Sequence, residues 1–174
     1  MGPTGIAGGG GLNGIQEFTA SGSWQPPKGV NRVLVEMWGP GGRGAAGCGT
    51  DTAGGGGSGA YVRAMLVVSY PNSYDITVGA SEVAGTNAEV LDGDTALISV
   101  PRGADGQCGS GGGKGGMAPT GENKIGRNGS DGAMNGAGGM PPAGSIPLQA
   151  NTAQGGSGGA NDTRGGNGYV LIVY

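Results

Sequence analysis

Short runs in which apolar and polar residues alternate predict β-strands along much of the chain. In the clearest run, Val33, Val35 and Met37 fall on one face of an extended strand. The runs of this kind have turn residues on either side and lie at 17–24, 30–38, 60–68, 74–79, 87–92, 95–100 and 168–174. No stretch has the period of an α-helix. We therefore expect an all-β protein, with an antiparallel sheet or sandwich as its framework and essentially no α-helix.

The rest of the chain is dominated by glycine, which accounts for 46 of the 174 residues. The usual share of glycine is about 7%. Hydrophobic residues make up 35% of the chain and aromatic residues 5%, and every aromatic residue lies before residue 75 or after residue 168. So few large side chains cannot fill an ordinary hydrophobic core. Either the glycine-rich part is disordered, or contacts between backbones hold it together.

Glycine recurs at every third position, most clearly in the stretch GADGQCGSGGGKGG, which begins at Gly103. A period of three matches the left-handed polyproline-II-type helix, which has three residues per turn. Glycine gives such a helix a bare edge, where two backbones can approach closely and form hydrogen bonds. We therefore expect packed polyglycine-II helices. The stretch from Gly103 to Gly115 predicts one rod of roughly 37–40 Å.

This packing has two consequences for the rod. Replacing Gly109 or Gly112 by Val should disrupt the packing, because only glycine permits the close approach. The positions that do not require glycine should be exposed, and these are Ala104, Asp105, Gln107 and Lys114.

The patterns divide the chain into two parts. Residues 1–15 form a Gly-X-Y segment that could dock on another protein. Residues 16–174 form a single glycine-rich β domain, with strands at about 17–100 and 168–174 and a glycine bundle at about 101–167. Two alternatives remain open: glycine-rich linkers can be flexible coils, and the N-terminal triplets have the form of collagen.

Charge and cysteine content restrict the function. The net charge is −3 and no basic block is present, so we expect no binding to nucleic acid. No apolar run approaches the ~18 residues of a spanning helix, and the N-terminus lacks the pattern of a secretion signal. Cys48 and Cys108 could form a disulfide if the fold brought them together. We favour two free thiols, as is usual for a protein made in the cytosol.

The candidate chemical motifs fail on their residue pattern. A phosphate-binding loop needs Ser or Thr after its Gly-Lys pair, but Gly115 follows Lys114 and no helix pattern comes next. Asp92 and Asp94 are better explained by a hairpin turn than by a calcium site. The chain has no histidine, which removes the commonest general base and metal ligand. We expect no cofactor, no metal and no enzymatic activity.

The order of the motifs carries a resemblance to a known family. FTASGSWQPPKGVNRVLVEMWGPGG is followed by GGGGSGAYVRAML, by YDITVGA, by a long glycine-rich tract and finally by GGNGYVLIVY. This order resembles the glycine-rich domain of bacteriophage tail-fibre and other virion proteins, over nearly the whole chain. It is more loosely similar to the distal adhesins of T-even-like tail fibres. The resemblance implies a β-sheet framework with a polyglycine-II bundle and a place in the virion.

In those adhesins the loops between glycine helices contact the host surface. By analogy the contact loops here are 117–125 and 140–154. The implied recognition residues in or beside these loops are Glu122, Asn123, Lys124, Arg127, Asn128, Gln149 and Asn151. The implied partners are other virion proteins, through the N-terminal segment, and a host-cell receptor. The analogy also implies a homo-oligomer, with a trimer as the first expectation.

Three functions are compatible with these observations. The first is host attachment at a tail fibre or tail tip. The second is capsid decoration, because the implied contact loops contain no aromatic residue, whereas receptor sites often use aromatic platforms. The third is ice binding, which needs a regular array of Thr or Ala, and Thr is scattered in this chain.

Overall fold

The structure, a computed structural model, describes residues 14–83, 85–145, 152–154 and 164–174. These residues form nine β-strands in two antiparallel sheets and contain no α-helix, which confirms the predicted all-β class. In chain order the strands are β1 (Ile15–Phe18), β2 (Gly22–Trp24), β3 (Arg32–Trp38), β4 (Tyr61–Val67), β5 (Tyr74–Thr77), β6 (Ala88–Asp92), β7 (Thr95–Val100), β8 (Lys124–Arg127) and β9 (Tyr169–Val173).

One sheet has five strands in the order β1-β9-β3-β4-β8, and the other has four in the order β2-β5-β6-β7. The apolar strand β9 pairs with both β1 and β3, so it has the interior position that its continuous apolar sequence favours. The predicted hairpin between β6 and β7 is confirmed. Asp92 lies opposite Thr95, and Gly93 takes a φ of 58° in the turn.

The main hydrophobic core lies between the two sheets. Val33, Val35 and Met37 point into it from β3, as their alternation predicts, and Ile76 and Val90 point into it from the four-stranded sheet. All five are at most 2% exposed. Each buried side chain of this size contributes about 1.5–3 kcal/mol. This core fixes which face of β3 and β4 remains available for the rest of the chain.

The opposite face of the five-stranded sheet carries a second, aromatic cluster. The ring centroids of Trp38 and Tyr61 are 4.8 Å apart, and Tyr169 packs edge-on against Trp38 at 5.8 Å. Ala153 covers this cluster, and Trp38 Nε1 donates a hydrogen bond of 2.9 Å to the carbonyl oxygen of Pro142. The described residues around Pro142 and Ala153 therefore pack on this face.

One strand prediction was wrong, and one strand was not predicted. The run 17–24 was predicted as one strand, but it is split between β1 and β2, which belong to different sheets. The chain crosses between the sheets at 19–21, where the Ser21 hydroxyl accepts a 3.0 Å hydrogen bond from the Val78 N–H. Strand β8 falls partly in the predicted loop 117–125. It has a single β-branched residue, Ile125, and forms by pairing with the edge of β4.

The predicted N-terminal segment ends later than the structure allows. Ile15 already belongs to β1, and Gly14 exchanges backbone hydrogen bonds of 2.8 and 3.0 Å with Tyr174. Residues 1–13 lie outside the described residues, so the docking role of this segment stays a prediction.

Candidate recognition surface

The glycine-rich segments continue the line of two central strands. Residues 39–45 follow β3 and residues 54–60 precede β4, and the two segments remain paired. The amides of Gly39, Gly42 and Ala45 donate to the carbonyl oxygens of residues 60, 57 and 54 at 2.8–2.9 Å. The bonds come every third residue, which is the step expected of three residues per turn. The pairing of β3 with β4 thus extends into the glycine-rich part with a different period.

Segment 54–60 is the centre of the glycine bundle and is buried throughout. Its amides donate to three neighbours, namely segment 101–107, segment 130–133 and Ala153, at 2.9–3.2 Å. Its carbonyl oxygens accept bonds from three others, namely segment 39–45, segment 113–116 and Gly139, at 2.8–2.9 Å. Six backbone neighbours surround one segment. Peptide groups are therefore satisfied here by other peptide groups. The polyglycine-II form of these segments stays a prediction.

The close approach requires glycine. An added Cβ would lie 2.1 Å from the Lys114 carbonyl oxygen at Gly57, and 1.7 Å from the Gly132 carbonyl oxygen at Gly112. The clash predicted for Gly112→Val is therefore supported by the geometry. The same prediction for Gly109 was wrong, because a Cβ there would meet only the Asp51 side chain, at 3.7 Å. Gly109 is needed for its φ of 69°.

The predicted single rod from Gly103 to Gly115 was also wrong, because this stretch folds back on itself. The Ala104 amide donates to the Lys114 carbonyl oxygen at 2.8 Å, and the Gln107 amide donates to the Gly111 carbonyl oxygen at 3.3 Å. Gly109 and Gly111, with φ values of 69° and 111°, form the turn between two shorter antiparallel segments. The predicted exposure is confirmed for Ala104, Asp105, Gln107 and Lys114.

The prediction of free thiols was wrong too. Cys48 and Cys108 form a disulfide, with Cα atoms 5.3 Å apart and a sequence separation of 60. The bond joins the loop 46–53, which connects two glycine segments, to the turn at 108–110. The Gly109 amide adds a 3.0 Å hydrogen bond to the Thr52 carbonyl oxygen. Sequence alone could not reveal this pairing, because it depends on the way that 103–116 folds back.

Three turns meet at the end of the bundle away from the sheets. We call the residues 46–53, 107–111 and 134–136 the tip surface. Asp51 lies beside Gly109, and Met134 lies over Gly111. Met134 is 64% exposed. The exposed polar side chains of the tip surface are Thr50, Asp51, Thr52, Gln107, Ser110 and Asn135. The surface therefore offers hydroxyl, amide and carboxylate groups on three turns, and the disulfide joins two of these turns, 46–53 and 107–111.

The predicted recognition residues lie elsewhere. Glu122 and Asn123 are exposed in a turn beside Met65, whose amide donates to the Asn123 carbonyl oxygen at 3.2 Å. This is the end of β4 opposite the tip surface. Lys124 begins β8 and Arg127 ends it, so both belong to a strand rather than a loop.

The remaining predicted residues do not add to a common site. The Arg127 side chain donates to the Ala143 carbonyl oxygen at 3.1 Å, and the Asn128 side chain accepts from the Ala118 amide at 2.8 Å. Both contacts fix the local chain path. Gln149 and Asn151 lie outside the described residues. The tip surface was missed by sequence reasoning, although the interruption of the glycine period at Thr50, Asp51 and Thr52 signals a loop there.

A buried carboxylate anchors the chain that covers the aromatic cluster. Glu36 is 1% exposed and accepts hydrogen bonds from the Ser145 amide, at 3.1 Å, and from the Ser145 hydroxyl. The Arg63 guanidinium lies 3.6 Å from the same carboxylate. Burial raises the pKa of Tyr61 to about 12, and the charge and hydrogen bond of Glu36 add to that effect. This arrangement fixes the chain at Ser145 against β3, so Glu36 has a structural role.

Two further features bear on function. The described ranges contain no group of three or more His, Cys, Asp or Glu side chains placed to hold a metal ion. They also contain no helix with the length and apolar character of a membrane-spanning segment. Compared with models of known protein families and with the sequences of curated proteins, the chain matches none.

Proposed function

We propose that this protein is a non-enzymatic bacteriophage virion protein, at a tail fibre or tail tip, that attaches the particle to the host cell through the tip surface. One observation carries the proposal: a bundle held by backbone hydrogen bonds presents three turns, two of them joined by a disulfide, at the end away from its sheets. A recognition surface gains from being rigid before binding, because less conformational entropy is lost on contact. The resemblance to tail-fibre glycine-rich domains points to the same role.

The chemistry of the tip surface favours a ligand with many hydrogen-bonding groups. Its exposed polar side chains are mostly uncharged, with Asp51 as the one carboxylate among those named above. The proposal moves recognition from the expected loops at 117–125 and 140–154 to the turns at 46–53, 107–111 and 134–136. The purified protein should then bind host cells and compete with phage adsorption.

Paired variants test both the function and its location. Asp51→Ala combined with Asn135→Ala removes two exposed polar groups from the tip surface. Glu122→Ala combined with Asn123→Ala is the matched control in the loop that sequence analysis favoured. We expect the first pair to weaken competition with phage adsorption by roughly tenfold and the second to leave it unchanged. Loss of competition in the control pair alone would return recognition to the loop at 117–125.

Capsid decoration is the second candidate. The tip surface contains no aromatic side chain, whereas receptor sites often use aromatic platforms, and this observation favours decoration. Gold-labelled antibodies on intact particles separate the two functions. Label at the tail supports attachment, whereas label over the whole capsid would overturn it in favour of decoration.

A further inference from the structure

The described residues contain three Asn-Gly pairs, which begin at Asn128, Asn135 and Asn167. In such a pair the backbone nitrogen of the glycine can attack the side-chain amide carbon of the asparagine, because glycine has no side chain to hinder the approach. A C–N bond forms, ammonia leaves and a five-membered succinimide ring results. Water then opens the ring and leaves aspartate or isoaspartate. The three pairs share this chemistry but differ in what surrounds them.

The fold restrains both reacting groups of the Asn128 pair. The Asn128 side-chain oxygen accepts a 2.8 Å hydrogen bond from the Ala118 amide. The Gly129 amide, which carries the attacking nitrogen, donates to the Gly116 carbonyl oxygen at 2.9 Å. Attack at this pair therefore requires two segments of the glycine bundle to separate, which is a costly opening.

The Asn167 pair is restrained in the same way, although its partners belong to another part of the chain. The Asn167 side-chain oxygen accepts a 3.2 Å hydrogen bond from the Ser81 amide. The Gly168 amide donates to the Gly79 carbonyl oxygen at 2.9 Å. The attacking nitrogen is again bonded to a segment that is distant in sequence.

The Asn135 pair lies in a turn of the tip surface and lacks such restraints. Asn135 is exposed, and its side chain forms no hydrogen bond with the described residues. Gly136 is buried, and its amide donates at 3.2 Å to the carbonyl oxygen of Ala133, in the same turn. The reaction thus requires the turn to open, but this opening is local and breaks no amide bond of Gly136 to another segment. Local openings cost less free energy than the separation of packed segments.

We propose that Asn135 is a site of spontaneous deamidation, and that the fold protects Asn128 and Asn167 from the same reaction. The net reaction consumes water and releases ammonia, and it needs no enzyme and no oxidant. The product adds a negative charge to the tip surface, where Asp51 is the one carboxylate among the polar side chains named above. Isoaspartate would also lengthen the main chain of the turn by one carbon atom.

The inference does not depend on the proposed function, because the modification is measured on the protein itself. If the tip surface recognises a host receptor, the conversion of Asn135 would change the charge of that surface as the particle ages. Failure of the attachment assay would leave the chemical prediction standing, and failure of the chemical prediction would leave attachment standing.

Mass spectrometry of the full chain, incubated at mildly alkaline pH and then digested with trypsin, tests the proposal. An unincubated sample gives the baseline. Cleavage after Arg127 and Arg164 separates Asn167 from the other two pairs. Fragment ions then locate the change within the peptide that holds both Asn128 and Asn135. We expect Asn135 to convert at least about tenfold faster than each of the other two asparagines.

The unfolded chain is the matched control. In concentrated urea the three pairs present the same dipeptide to water, so they should convert at similar rates. Asn135→Gln should remove the fast conversion from the folded protein, because Gln would have to form a larger ring. Similar rates at all three pairs of the folded protein, or slower conversion at Asn135 than at another pair, would overturn the proposal. Fast conversion that persists in Asn135→Gln would overturn it as well.

Discussion

At the scale of single residues, the packing depends both on glycines that lack a side chain and on a buried charged side chain. Gly57 sits at the centre of the bundle, where the space for a Cβ is taken by the backbone of Lys114. Glu36 is the opposite case, since its buried carboxylate is compensated by hydrogen bonds from Ser145 and by the nearby guanidinium of Arg63. A change of one atom group at either position acts on packed neighbours that cannot move aside.

Gly57→Ala should lower the free energy of unfolding by about 3 kcal/mol or more, because the added carbon would lie 2.1 Å from a carbonyl oxygen. Gly22→Ala is the control. A Cβ there would touch only the Phe18 ring, at 3.8 Å. Urea denaturation of both variants measures the difference, and equal stability would show that the bundle tolerates side chains at its centre.

Alkaline pH should destabilise the fold through Tyr61. Burial, assisted by the negative charge of Glu36, raises the pKa of Tyr61 from 10.0 to about 12. The folded state thus prefers the neutral phenol. The resulting stabilisation is complete below pH 10 and is lost as the pH rises from 10 to about 12.

The measurement is the free energy of unfolding between pH 8 and 12 for the native protein and for Tyr61→Phe. In Tyr61→Phe the free energy of unfolding should decline less above pH 10 than in the native protein. The remaining decline comes from Tyr169, because burial and Glu17 also raise the pKa of Tyr169 to about 12. Tyr70→Phe is the control, since this side chain is 51% exposed. An unchanged profile in Tyr61→Phe would contradict the assignment.

At the scale of elements, the segments of the bundle are defined by hydrogen bonds rather than by side-chain contacts. Segment 54–60 bonds to six neighbours, and the segments around it are less enclosed. The disulfide acts at the same scale, because it joins two turns that the glycine segments only bring near each other.

Amide hydrogen exchange should distinguish the enclosed segment 54–60 from the exposed loops. The amides of Gly55, Gly57 and Ser58 should exchange slowly, because each is buried and bonded to a backbone oxygen at 2.9 Å. The exposed amides of Gly47 and Gly49 in the loop should exchange quickly. If all five exchanged at the rate of a random coil, the glycine-rich part would be a flexible linker.

Removal of the disulfide should loosen the tip surface more than the sheets. Cys48→Ser combined with Cys108→Ser should cost about 2–4 kcal/mol, because the bond closes a long loop in the unfolded chain. A reductant should destabilise the native protein by a similar amount and leave the double variant unaffected. Thermal unfolding with and without reductant provides the measurement. If the reductant left the thermal unfolding of the native protein unchanged, the disulfide would not contribute to its stability.

At the scale of the whole molecule, the sequence predicts the fold class better than it predicts which distant parts of the chain come into contact. Alternation at Val33, Val35 and Met37 identified the buried face of β3, because a strand has a simple period. The triplet period predicts polyglycine-II helices by the same kind of reasoning, and that helix type stays a prediction. The turn at Gly109 was not predicted. Glycine can serve either close backbone packing or a positive φ, and the triplet pattern does not distinguish these two roles.

The candidate site was harder to predict for the same physical reason. Cys48, Asp51 and Met134 come together only after the chain folds back twice, and no local pattern records such distances. The analogy with adhesins indicated that loops between glycine segments carry recognition. The register of β3, β4 and β8 decides which loops lie at which end of the molecule, and register depends on packing across the sheet.

The burial of segment 54–60 also affects how stability varies with temperature. Unfolding of an ordinary domain raises the heat capacity by about 12–15 cal/mol/K per residue, because apolar exposure raises it and polar exposure lowers it only in part. The bundle hides mainly peptide groups, with few apolar side chains. Its unfolding therefore adds less heat capacity per residue. The stability curve of this protein is then flatter than that of a domain with a side-chain core, so cooling and warming weaken the fold more gradually.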